Sequence, residues 1–263
     1  MGTAATAVQD SQRPATGSGH AETERGADVT ISSSPLTVWW RSSLGLKLLV
    51  AITGVVLFLF VIGHLLGNLQ IFRGPAALNS YSEKLRALPI LLWGARLGIL
   101  VCAILHVFAT LSLALLNRRA RPIPYSRRTP VQATVSSRTM VYSGLLVLAY
   151  VGYHLAQFTW KITNPAISHL LNGQGKPDVY AMVVLSFRNR LVSGSYIIAM
   201  IVLGFHLNHG LASIFQTVGW MTPRNKRVIE RIAFWSALII VAGYIAIPLS
   251  VLLGLVPTVR GGM

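Results

Sequence analysis

Apolar and polar residues in this chain do not alternate; they fall into long blocks. Five apolar stretches stand out, running from Leu48 to Phe72, Leu97 to Leu116, Thr139 to Trp160, Leu191 to Val218 and Ile232 to Val256. Each reaches the length of about 20 residues that a helix needs to cross roughly 30 Å of hydrocarbon. No Asp, Glu, Lys or Arg lies in the central part of any of them. The pattern predicts an all-α integral membrane protein, a bundle of five transmembrane helices over residues 36–256. Residues 1–35, rich in Ala, Thr, Ser and Gly, contain no apolar stretch and read as a disordered cytoplasmic tail. Residues 257–263 form a short C-terminal tail.

Composition supports the bilayer as the main solvent. Of 263 residues, 53% are hydrophobic and 11% charged, and the mean hydropathy is +0.58. A soluble domain carries about 25% charged residues. At that length a soluble chain would make about two domains, but the apolar blocks place these residues in one bundle. The net charge of +16 comes from 23 Lys and Arg against 7 acids. These cations sit in short clusters between the apolar blocks, which fits lipid headgroups and the positive-inside rule better than nucleic acid.

The clusters also give an orientation. Arg118, Arg119, Arg121, Arg127, Arg128 and Arg138 follow the second stretch, and Arg224, Lys226, Arg227 and Arg231 follow the fourth. The opposite side has Arg73, Lys84, Arg86 and Arg96 in one loop and Lys161, Lys176, Arg188 and Arg190 in the other. The bias places the N-terminus in the cytoplasm and the C-terminus outside.

Histidine is the one ionisable residue type left inside the spans. His64, His106, His154, His206 and His209 lie there, at least one on each of the first four spans and none on the fifth. Ionisable side chains in a bilayer are costly and tend to mark function. One such histidine is as readily a neutral group bonded to a neighbouring helix; four spread over four spans are not. Their depths fall into two levels. His64 is nine residues from Arg73 and seventeen from Lys47; His154 is seven from Lys161 and sixteen from Arg138. Both belong to the outer half. His106 is near mid-span and His206 follows Arg190 by sixteen residues, deeper toward the cytoplasm.

Two neutral imidazoles on facing helices can ligate one haem iron from both sides. The arithmetic predicts two haems between the first four helices, with His64 and His154 on the outer iron and His106 and His206 on the inner one. Cys102 is the only cysteine, which leaves no Cys-x-x-Cys-His attachment and no iron–sulfur ligand set, so the haems would be b-type. Zinc and di-iron sites lack the thiolate or carboxylate partners they need within the spans. Gly63, Gly67, Gly152, Gly204 and Gly210 beside the histidines fit close approach of a flat macrocycle and equally fit ordinary helix packing. His209, one turn past His206, is the rival ligand; otherwise it is expected to bond a propionate, the backbone or a quinone. Asn68, Gln70 and Gln157 at the outer helix ends, with Glu83 in the adjoining loop, suit either a quinone headgroup or plain satisfaction of helix ends. At the inner face Ser43 and Lys47 suit a haem propionate or a second quinone site.

The segments Ser42–Gly54 (SSLGLKLLVAITG), Gly63–Gln70 (GHLLGNLQ), Leu105–His106, Tyr153–Trp160 (YHLAQFTW) and Phe205–Arg224 (FHLNHGLASIFQTVGWMTPR) resemble the cytochrome b subunit of succinate:quinone oxidoreductases, in its five-helix, two-haem form. The likeness spans roughly residues 36–256 and keeps four histidines in order; a related segment of that family often has Asn where His209 stands. The resemblance implies a subunit of a succinate dehydrogenase or fumarate reductase in a bacterial cell membrane. A flavoprotein subunit with FAD would oxidise succinate, and an iron–sulfur subunit would pass electrons to the inner haem. They would continue to the outer haem and on to a quinone, menaquinone by implication. The cytoplasmic loops at 118–138 and 224–231 would be docking surfaces. Haem subunits of a formate dehydrogenase or hydrogenase, and a proton-linked transporter with a histidine relay, are the competing readings; no internal repeat of the transporter kind is evident.

Overall fold

The structure, a computed structural model, describes residues 42–119 and 140–257. The residues 1–35 read as a tail, most of the arginine-rich loop at 118–138 and nearly all of the 257–263 tail lie outside the described residues. The described residues are helical, without a β-strand. In lipid a lone segment must satisfy its own backbone, and the helix does so.

Helix α1 is Ser43–Asn68, extended by a 3₁₀ turn, Leu69–Arg73. Its start lies before the apolar block because the Ser42 side chain accepts the Gly45 N–H at 3.0 Å, an N-cap. Gly74, at φ 91°, turns the chain into α2, Pro75–Arg86. Helix α3 is Pro89–Arg119 and opens on proline, which tolerates the first helical turn. It therefore begins eight residues before Leu97, and Arg96 lies within it, its guanidinium 5.0 Å from the Trp93 ring centre.

Helix α4, Met140–His154, ends in a π-helical turn, Leu155–Thr159, and then Lys161 at φ 59°. The short α5, Pro165–Ser168, and α6, Val179–Arg188, follow. Helix α7, Arg190–Thr217, is capped by Asn189, whose side chain accepts the Leu191 and Val192 N–H groups. Helix α8, Lys226–Leu252, completes the set. Five of these helices, α1, α3, α4, α7 and α8, are long and apolar enough to cross a membrane. The chain is a multi-pass membrane protein.

The spans alternate in direction. We call the end holding α2, α5 and α6 the upper end and the end where α1 begins the lower end. Around the bundle α1 packs on α3, α4 on α7, and α7 on α1, with lighter contact between α3 and α4. Helix α8 braces α7 and α1 from outside that ring. The Tyr244 hydroxyl donates to Val61 O at 2.8 Å, and Gly243 lets Leu65 approach closely. The span without a histidine is thus the scaffold for two that carry them.

The largest buried cluster lies at the upper end, not midway along the spans. It joins Ile71, Leu78, Tyr180, Val184, Phe187, Tyr196, Ile247, Val251 and Val256. Lipid solvates the flanks of the spans as well as any side chain would, so dense packing gathers where irregular backbone must be covered. Helix α6 fills that place. Its N-terminus is capped twice: Asp178 accepts the Ala181 N–H at 2.9 Å, and Asn79 from α2 accepts the Tyr180 N–H at 2.9 Å. Asn79 also donates to Asp178 at 2.9 Å, and Glu83 of α2 pairs with Lys176. The Tyr180 hydroxyl donates to Pro257 O at 2.7 Å, which pins the chain beyond α8 to the same cap.

Candidate functional site: two histidine pairs

The four helices of the ring place two of their histidines across each diagonal. His64 on α1 faces His154 on α4, with ring centres 5.8 Å apart and planes at 86°. His106 on α3 faces His206 on α7, at 6.4 Å and 67°. Neither α1 and α4 nor α3 and α7 pack backbone to backbone. The imidazoles therefore meet between helices whose backbones do not pack on each other.

Their heights differ by a measurable register. The lower pair lies beside Gly54 of α1 and Gly144 of α4, where an added Cβ would come within 3.4 Å and 3.2 Å of the His106 and His206 rings. His64 and His154 are each ten residues further along the same two helices, about 15 Å at 1.5 Å per residue. The glycines expected to make room near the histidines do not touch the rings. An added Cβ at Gly63 or Gly152 meets nothing within 4 Å, and Gly67, Gly204 and Gly210 face Tyr81, Val241 and Met140. Helix packing accounts for those three, and Gly54 and Gly144 are the positions where small size matters to an imidazole.

Hydroxyl groups orient three of the four rings. Thr53 Oγ1 lies 2.7 Å from Leu49 O and 3.0 Å from His106 Nδ1. Ser143 Oγ lies 3.0 Å from Met140 O and 3.4 Å from His206 Nδ1. Tyr196 donates its hydroxyl proton to Gln157 Oε1 at 2.9 Å and lies 3.2 Å from His154 Nδ1. A hydroxyl has one proton, and where it goes to the carbonyl the oxygen accepts from the imidazole. An imidazole that donates from Nδ1 in this way keeps its Nε2 lone pair free, the arrangement that outer partners impose on metal-ligating histidines. The His64 ring has no hydrogen-bond partner among the described residues. It stacks on Phe60 at 5.4 Å and lies 6.3 Å from the Tyr244 ring.

Thr53, Ser143, Tyr196 and Tyr244 were not among the sequence-derived candidates. A signal for two of them exists: Thr53 precedes His64, and Ser143 precedes His154, by eleven residues. Eleven residues are about three turns, which returns to the same helix face. Each of these helices thus carries a ligand candidate for one level and an orienting hydroxyl for the other.

The remaining candidates divide. His209 meets none of the other rings; its Nε2 is 3.1 Å from Ser213 Oγ one turn on. Asn68 donates to His64 O at 2.8 Å, Gln70 accepts from Arg73 at 3.1 Å, and Glu83 is held by Lys176. Gln157 is buried against Tyr196. No hydrogen bond joins any two of Asn68, Gln70, Glu83 and Gln157. Ser43 and Lys47 are exposed on the first turns of α1 at the lower end. Just beyond the upper pair, burial and then the neighbouring Arg86 hold the Lys161 ammonium below the usual lysine range.

The donor set tests which metal group the pairs fit. Among the described residues no third His, Cys, Asp or Glu joins either pair. Two opposed nitrogens alone cannot hold a tetrahedral ion, but they suit a metal whose other four positions belong to a macrocycle. Imidazole nitrogens at about 2 Å from one metal separate the ring centres by roughly 6 Å, in line with both pairs. No family model, curated protein or solved structure matches the chain.

Proposed function

We propose that this chain is the di-haem cytochrome b subunit that anchors a succinate dehydrogenase complex to the membrane and passes electrons to a quinone. The observation that carries the reading is the pair of imidazole contacts across both diagonals of one bundle, at two heights. The residues fit b-type haem: His64 and His154 would hold one iron at the upper level, His106 and His206 a second at the lower. Haem supplies a one-electron couple within the bilayer when bound. The chain's part is to aim the Nε2 lone pairs, which Thr53, Ser143 and Tyr196 do, and to keep water away from them.

Loop charge makes the lower end cytoplasmic, so the lower centre would receive electrons from an iron–sulfur partner subunit. That subunit is fed by a flavoprotein carrying FAD, and the quinone, menaquinone by the sequence resemblance, is reduced near the upper centre. Ser43 and Lys47 border the lower end, where a propionate or a second quinone would lie. Asn68, Gln70, Glu83 and Gln157 surround the upper end but already have partners, so a quinone there would bind by displacing one of them.

Purified full-length chain is expected to give a reduced-minus-oxidised band of b-type haem, with two haems per chain, and to co-purify with a flavoprotein that oxidises succinate. Colourless protein defeats the reading and favours a transporter. A nickel- or molybdenum-containing partner moves it to a hydrogenase or formate dehydrogenase.

Close approach at Gly144 gives a second expectation. Leucine there drives its Cβ toward His206 Cε1 from 3.2 Å and adds bulk behind it. Gly144→Leu is expected to lower the haem content from two to one, whereas Gly98→Ala, whose added carbon meets nothing within 4 Å, retains both. The pyridine haemochrome count of each variant decides it.

A further inference from the structure

Of the three orienting hydroxyls, Thr53 and Ser143 give their protons to backbone carbonyls of their own helices, Leu49 O and Met140 O. Tyr196 gives its proton to a side chain, Gln157 Oε1. The direction of the proton beside His154 therefore depends on a group that substitution can remove. Gln157 is 4% exposed and Tyr196 7%, so water does not replace either partner. Gln157 reaches Tyr196 from the π-helical turn Leu155–Thr159 that directly follows His154. Such turns add a residue to the helical register and recur at functional sites. Among the described residues the Tyr196 hydroxyl is met by Gln157 and His154, and the buried hydroxyl of Tyr150, whose ring centre is 4.9 Å from that of Tyr196, lies beside it.

We propose that Gln157 is a positioning residue for the upper histidine pair, acting through Tyr196 to dictate which nitrogen of His154 carries the proton. The inference rests on the reading that His154 Nε2 ligates iron. With Gln157 present, the Tyr196 proton is held on the far side and the hydroxyl oxygen accepts from His154 Nδ1–H. Without the Gln157 carbonyl, the acceptors left to the phenolic proton are His154 Nδ1 and the Tyr150 hydroxyl, and the imidazole nitrogen is the stronger of the two. The neutral imidazole then carries its proton on Nε2 and presents an N–H, with no lone pair, to the metal position. Nothing titrates in this exchange; one proton changes nitrogen and the charge is constant.

The consequence is an inverted order of effects. Gln157→Leu, the more distant change, is worse than Tyr196→Phe, which removes the group in contact with His154. Phenylalanine leaves Nδ1 unpaired and imposes neither tautomer, whereas leucine at 157 leaves a phenol that imposes the wrong one. The test uses full-length protein carrying Gln157→Leu, Tyr196→Phe, both changes together, or Gln157→Glu, whose carbonyl oxygen accepts the Tyr196 proton as that of the amide does. Haem per chain is counted, and the midpoint potentials are read by redox titration of the b band.

The expected counts are two for the parent, one for Gln157→Leu and two for each of the other three, with the upper potential shifted in Tyr196→Phe. The haem that remains in Gln157→Leu reports an intact fold. If the double variant is as depleted as Gln157→Leu, or if Gln157→Leu keeps two haems at the parent's potentials, the proposal is overturned. A parent without haem instead overturns the function proposed above, so the two failures are distinct.

Discussion

His206→Ala leaves one haem per chain, and His209→Ala leaves two: this is the expected result that separates two imidazoles one helical turn apart. Sequence spacing treats them as rivals, because residues three apart share a helix face. The structure separates them by what each ring nitrogen meets. The His206 ring lies 6.4 Å from His106 across the bundle, with Nδ1 against Ser143. His209 directs Nε2 to Ser213 on its own helix and faces no other imidazole among the described residues. In the proposed centre, losing one of two imidazoles would remove half of the protein's bonds to the metal, whereas removing His209 removes one local hydrogen bond, worth about 1 kcal/mol. His64→Ala, His106→Ala and His154→Ala are expected to behave as His206→Ala does. Two haems in the His206 variant and one in the His209 variant would transfer the lower ligand to His209.

The largest loss of stability without loss of a ligand is expected from Asn79→Leu. Asn79 accepts the Tyr180 N–H and donates to Asp178, so one side chain on α2 completes the N-terminus of α6. The first N–H groups of a helix have no partner within it and need one from elsewhere. Leucine leaves the Tyr180 N–H and one side of the Asp178 carboxylate unpaired beside a buried cluster. At about 1–3 kcal/mol for each polar group left unsatisfied, the variant is expected to lose about 2–6 kcal/mol. Thermal unfolding in detergent, compared with Ser80→Ala on the exposed side of the same helix, measures it. Equal stability of the two variants would mean that α6 does not rely on α2 for its cap.

Membrane architecture was legible because the bilayer demands long runs of apolar residues, and five such runs are visible without any alignment. Helix ends were less legible. The second span starts at Pro89 and not at Leu97, because proline opens the first helical turn and a run of apolar residues does not register that. The amphipathic α2 and the apolar α6 escaped as elements because each is too short to span and too local to show in block hydropathy. Their importance comes from Asn79 and Asp178, which are 99 residues apart in the chain.

The sequence by itself determined that four spans each bring a histidine into lipid, at two depths, and that a single cysteine and no carboxylate accompany them there. Spacing and charge suffice for that, since depth is counted along a helix of known rise. Tertiary structure decided which rings face each other, which hydroxyl lies against each ring nitrogen, and that Gly54 and Gly144 are the glycines against the imidazoles. These depend on helix rotation and on partners from 39 to 63 residues away, and a one-dimensional pattern carries no record of either.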